Sequence, residues 1–176
     1  MFSFSRSLLA PLSLAPLSLA SLSLASVAPA LLVGTCAVSL SSAAYAATHA
    51  TSAQAQALLD KAVNELKTVG PDKALPQFNQ TTGAYNNGEL YVFVLDMKGV
   101  YKAYGANPKL VGTDVIDMAD AEGKQIVREM ISIANGSGHG KISYVWLNRS
   151  DNRIEHKFSL IQRVGDHIVG VGYYPS

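Results

Sequence analysis

The sequence predicts an α+β domain: a five-stranded antiparallel sheet with a long N-terminal helix and an inserted helix between strands 2 and 3. Two observations carry this. From Leu90 to Tyr174, phrases rich in β-branched and aromatic residues, with no helical spacing, alternate with short polar connections. Two other segments, one before the first phrase and one between the second and third, repeat apolar residues at helical spacing instead.

The leading helix follows Thr51 or Ser52, either of which can cap it. Leu58, Leu59, Ala62, Val63, Leu66 and Val69 recur on one side, with Asp60, Lys61, Asn64, Glu65 and Lys67 on the other. Gly70-Pro71 ends it. A weaker helix from Asp72 to Phe78, interrupted at Pro76, leads into loop chemistry over residues 81–88. The first strand, Leu90 onward, stops at the polar connection Asp96 to Gly99, where Gly supplies positive φ, and Val100 to Tyr104 returns as the second. Residues 105–112 then leave the sheet, with Asn107-Pro108 as a turn. Asp114, Asp117, Asp120 and Glu122 lack the pattern of a calcium loop and read as acids at the start of a helix. That inserted helix runs from Gly123 to Ala134, with Ile126, Val127, Met130, Ile131 and Ala134 on one face, and Asn135-Gly136 stops it. Three further strands, Ile142 to Leu147, Lys157 to Ile161 and Ile168 to Tyr174, form a meander. Its joints are residues 148–152 and the two-residue signal Gly165-Asp166.

The chain of 176 residues has room for one domain with a real core, and its start lies outside any fold. Arg6 is the only charge before Asp60; a Leu/Ser/Ala tract follows it and ends in Ala44-Tyr45-Ala46. This is the order of a secretory signal peptide, so residues 1–46 read as a leader cleaved after Ala46, and residues 47–176 as the mature, periplasmic domain. Pro11, Pro16 and Pro29 break the tract against an uncleaved spanning helix. Cys36 is the single cysteine; with the leader removed, disulfides, thiolate metal sites and cysteine nucleophiles are excluded.

Charge is balanced, Lys+Arg 14 against Asp+Glu 13, without a basic face, which argues against nucleic acid as partner. His49, His139, His156 and His167 stand at no metal-motif spacing. The Gly136 to Gly140 run follows a helix and precedes a strand, the reverse of the order phosphate cradling needs. No nucleophile elbow, paired His-acid phrase or metal constellation is present; the expectation is no enzyme, no metal and no cofactor.

Several words along the frame carry a resemblance: Tyr91 to Val94 followed by Asp96 and Gly99; Gly105 to Pro108 followed by Leu110, Val111 and Gly112; Asp120 with Gly123; Arg128 to Met130; Gly140 with Tyr144 and Trp146; Lys157; and Arg163 to Asp166 followed by Val169 to Tyr173. Together they resemble the single Cache domain, an extracytoplasmic sensing module of chemoreceptors and histidine kinases, over about Leu58 to Pro175. The resemblance implies a PAS-like fold and a pocket over the central sheet for a small organic molecule, short carboxylates among them. The chain departs from it in carrying Tyr104 where many members have His, and Leu160 where many have Tyr.

The residues expected at such a pocket are Tyr144 and Trp146, two apart on one strand and so on one face, as an aromatic wall. Tyr101 and Tyr104 on the second strand join them. Arg128 on the inserted helix and Lys157 on the neighbouring strand are the cations that would answer a carboxylate. Core packing for the aromatics, a surface ion pair for Arg128 and a solvated strand position for Lys157 are the bland alternatives. The functional expectation is an exported small-ligand-binding sensor domain of signal transduction and chemotaxis. With no membrane segment or signalling domain after Tyr174, it would act through a separate membrane receptor or transporter. The alternative is an envelope protein-protein interaction module with no small ligand. A homodimer through the N-terminal helix is a further expectation.

Overall fold

The computed structural model describes residues 49–175. The leader, Cys36 and the junction after Ala46 lie outside them. Helix α1, Ser52–Val69, begins with a capping box in which the Thr51 hydroxyl accepts from the Gln54 amide and the Gln54 side chain accepts in return from the Thr51 amide. It buries Ala55, Leu59, Ala62, Val63 and Leu66. Gly70 then turns the chain directly into α2, Pro71–Phe78. Pro71 suits a first helical turn, and Pro76 sits within the short helix rather than breaking it.

The sheet has strands β1 (Asn86–Asn87), β2 (Leu90–Asp96), β3 (Tyr101–Tyr104), β4 (His139–Asn148), β5 (Arg153–Val164) and β6 (His167–Tyr173), all antiparallel. The five expected strands are all present. β1 is an added two-residue bridge, and β4 and β5 extend well past their expected bounds because their register continues from His139↔Gln162 to Asn148↔Arg153. β6 lies between β2 and β5; β4 forms one end of the sheet, and β1 and β3 pair with β2 at the other.

Period-two alternation divides the side chains into two cores. On one face Val92, Val94, Ala103, Val169, Val171 and Tyr173 pack under α1 and α2. On the other, Phe93, Leu95, Tyr101, Tyr104, Ile142, Tyr144, Ile161 and Ile168 pack under α3, Ile126–Gly136. Leu160 belongs to the α1 side, so the position where the resemblance often has Tyr does not face α3.

The acids before α3 differ in role from their expectation. Asp114 accepts from the Ile116 amide, and one Asp120 oxygen accepts from the Glu122 and Lys124 amides, so both close turns rather than charge a helix start. The other Asp120 oxygen accepts from Val145 N at 2.9 Å, while Lys124 Nζ donates to Ser143 O at 2.6 Å. These two side chains occupy outward backbone groups of β4 and bind the loop before α3 to the sheet.

Candidate functional site

The α3 face of the sheet contains a hollow because two strand positions there are glycine. A Cβ at Gly170 would sit 2.1 Å from Phe93 Cζ, and one at Gly172 would sit 2.1 Å from Lys157 Cε. The central strand therefore gives up two side chains so that an aromatic ring and a lysine stem can lie across it. A residual cavity of about 20 Å³ remains, lined by Tyr91, Phe93, Tyr101, Tyr104, Tyr144 and Trp146 from the sheet, with Met118, Ile126, Val127 and Met130 above. That is room for about one water.

A β-bulge sets the tyrosine wall. Phe93 pairs with Tyr104 and Leu95 with Tyr101, so the register slips by one and Lys102 is the extra residue. Tyr101 and Tyr104, three apart, consequently share a face that regular alternation would deny them. Their rings stack at 4.7 Å with planes 12° apart, and Tyr91 meets Tyr104 edge-on at 5.6 Å. Across the sheet, Tyr144 and Trp146 meet edge-on at 5.8 Å, and the Tyr144 hydroxyl lies 2.8 Å from Ser159 Oγ.

Lys157 is the cation of this face. It pairs in register with Tyr144, and only 1% of it is exposed. Its ammonium donates to the Tyr91 hydroxyl at 2.9 Å and to that of Tyr174 at 3.5 Å, and lies 4.5 Å from the centroid of each ring. Among the described residues no carboxylate forms an ion pair with it. Burial therefore pulls its pKa down to about 7, with Glu89 acting against the shift and Arg149 with it. The same burial pushes the Tyr91, Tyr144 and Tyr174 phenols upward, keeping them protonated donors.

Arg128 is not part of this arrangement. Its side chain is 56% exposed and pairs with Asp117, itself 78% exposed, on the outer side of α3. The expectation of two converging cations is corrected: α3 turns Ile126, Val127 and Met130 toward the sheet, which leaves Arg128 facing solvent. Tyr101, Tyr104, Tyr144 and Trp146 line one hollow, and Lys157 adjoins it through Tyr91.

Three functional-looking features escaped the sequence reading. Tyr91 and Tyr174, which hold the lysine, are ordinary strand aromatics in sequence. The third is a carboxylate hub: Glu89 accepts from His49 Nδ1 at 2.8 Å, Ala50 N at 3.1 Å, Asn148 Nδ2 at 2.9 Å and Ser150 Oγ at 3.0 Å. These donors, from Asn148 first, hold its pKa at about 2 against burial, and its carboxylate in turn raises that of His49. The signals were present in the alternating Gly-Val-Gly of residues 170–172, which marks a close approach, but nothing local said what approaches.

A family model described as Single Cache domain 2 matches residues 37–175. The chain belongs to the single Cache domain family. Comparison with curated proteins gives no significant match. Among solved structures, this Cache domain is similar to a methyl-accepting chemotaxis protein from Vibrio parahaemolyticus, at 19% identity and TM-score 0.58 over 69% of this chain and 86% of that one. It is similar to a Cache chemosensory domain whose structure gives the basis of its carboxylic acid recognition, at 22% identity and TM-score 0.59 over 71% and 93%. A periplasmic sensor domain of a chemotaxis protein matches at 21% identity and TM-score 0.55 over 69% and 88%. At these identities the likeness is one of fold. Among the described residues no helix is long and apolar enough to cross a membrane, and no cluster of metal-ligating side chains occurs.

Proposed function

We propose that this Cache domain is an exported sensor of a small organic acid, held by Lys157 beneath the tyrosine wall, which passes its state to a separate membrane receptor or transporter. The observation that carries the reading is the buried ammonium without a counter-ion. An ion in a dry interior costs several kcal/mol, which phenol dipoles and ring faces offset only in part. A carboxylate placed against Lys157 supplies the missing charge, with protonated phenols of Tyr91 and Tyr144 as further donors. The aromatic rings would cover the apolar part of the molecule. The match to the Cache family and the carboxylic acid recognition of one structural relative support the ligand class. The leader-like tract at residues 1–46 supports a periplasmic location.

The test is a thermal-shift screen of short carboxylates against the wild type and Lys157→Met. At least one acid raises the melting temperature of the wild type, and none raises that of the variant. The unliganded variant melts no lower than the wild type at pH 6, since a buried unpaired charge has been exchanged for a thioether of similar length. A melting temperature that no acid moves, together with a variant that unfolds readily, would make Lys157 a structural residue and refute the reading.

Two observations favour the alternative of an interaction module without a small ligand. The cavity holds about 20 Å³, so any acid larger than water requires side chains to move outward. Meanwhile Leu147 and Ile154, register partners near the end of the β4–β5 hairpin, are 43% and 66% exposed. Capture of an envelope protein that is lost on Ile154→Lys, with no acid response, would support that reading instead.

A further inference from the structure

We infer that small molecules reach Lys157 through a cleft beside the β4–β5 turn, with the Tyr91 and Tyr174 side chains as the inner door and Arg149 as a strap across the mouth. This rests on the reading of Lys157 as the ligand's partner, and it assigns a role to residues outside the aromatic hollow.

The cleft holds about 180 Å³, far more than the hollow under α3. It lies between the loop after β3, at Gly105 and Ala106, and the turn at Asn148, Arg149 and Ser150. Its inner wall includes Tyr91 and Tyr174, the two residues whose hydroxyls receive the Lys157 ammonium. Tyr91 also lines the hollow, so one side chain stands between the two spaces and touches the cation behind them. A rotation of that ring joins cleft, ammonium and hollow into one passage.

The alternative approach, under α3, is bound more firmly. Asp120 holds Val145 N, Lys124 holds Ser143 O and pairs with Glu129, and a row of buried apolar side chains lies beneath. Over the cleft, among the described residues, a single side-chain bond connects the two rims: Arg149 Nη1 donates to Ala106 O at 2.7 Å. The carboxylate of Glu89 also lines the cleft, held by His49, Ala50, Asn148 and Ser150, and among the described residues it forms no ion pair with Arg149. Tyr174 is held less freely than Tyr91, because its hydroxyl also donates to Leu147 O at 2.9 Å. The moving leaf of the door is therefore Tyr91, the more exposed of the two side chains.

Two variants separate the routes. Thr81 is exposed at the cleft wall, so Thr81→Trp fills the cleft without touching the hollow. Arg149→Gln removes the strap. With acetate as probe, followed by NMR exchange, Thr81→Trp slows binding and release together by about tenfold while their ratio stays within about twofold, as expected when only a passage is narrowed. Arg149→Gln speeds both. Reductive methylation of Lys157 with formaldehyde and a borane, followed residue by residue in the mass spectrometer, shows the same order without depending on any ligand. Methylation of Lys157 at the wild-type rate in both variants overturns the inference. Should acetate show no binding at all, the sensor reading loses support for that acid while the methylation rates still decide the route.

Discussion

Binding at Lys157 is expected to be coupled to a proton. In the empty domain burial holds the ammonium's pKa at about 7, whereas a carboxylate against it favours the charged form and returns the pKa toward the ordinary lysine value of about 10.4. The ligand thus binds the protonated site, and above pH 7 each ligand must bring a proton with it. The dissociation constant is nearly flat below pH 7 and then weakens about tenfold per pH unit, reaching about 100-fold, or about 2.7 kcal/mol, between pH 6 and pH 9. Isothermal titration of a binding acid in buffers of different ionisation enthalpy reads the proton directly, with about 0.9 proton taken up per ligand at pH 8. Other groups around the site do not mimic this. Glu89 stays ionised, and the pKa values of Tyr91, Tyr144 and Tyr174 are raised. His49, whose pKa is raised by Glu89, is a titrating neighbour among the described residues, and its ring lies tilted against that of Tyr174, with centroids 6.1 Å apart. A pH dependence that survives His49→Gln belongs to Lys157. An affinity constant within twofold from pH 6 to pH 9, or a dependence that disappears in His49→Gln, would refute the reasoning.

Gly172→Ala places a methyl group 2.1 Å from Lys157 Cε, so the lysine stem must shift off its two tyrosines; acid affinity falls at least about tenfold and unfolding free energy drops by about 1–3 kcal/mol in denaturant titration. Glu89→Gln leaves one acceptor oxygen where four donors converge, costing on the order of 2 kcal/mol in the same titration at pH 7. Because the folded-state pKa of Glu89 is lowered to about 2, its contribution is present above the unfolded value near 4.5 and lost as pH falls through about 2. The stability gap between wild type and variant therefore closes over that window. Arg128→Ala removes only an exposed pair with Asp117, so both stability and acid affinity stay within about 0.5 kcal/mol of the wild type, as measured by melting and titration.

Much of the fold was legible before any coordinates. Periodicity placed α1, α3 and the long strands because each element must turn one apolar side inward, and a chain cannot hide that side from its own sequence. Turn residues worked for the same local reason: Gly99 at φ 90° and Gly165 at φ 59° stand where short connections need a left-handed backbone. Strand ends were less legible. β4 and β5 run on through polar residues such as Glu155 and His156, because ladder hydrogen bonds continue wherever a partner strand is present, whatever the side chains.

The site divides along the same line. Periodicity along the chain determined that this is an α+β domain, that Tyr144 and Trp146 share a face, and that Lys157 stands on the neighbouring strand, while its motif words carried the resemblance to the Cache family. Only the tertiary structure decided that Arg128 points to solvent, that a bulge at Lys102 brings Tyr101 and Tyr104 together, and that Tyr91 and Tyr174 enclose a lysine without a counter-ion. Helical and strand periods are properties of the backbone and can be read along it. Which of two cations is dry depends on helix rotation, register slip and the missing side chains of Gly170 and Gly172, and these are set by packing between residues far apart in the chain.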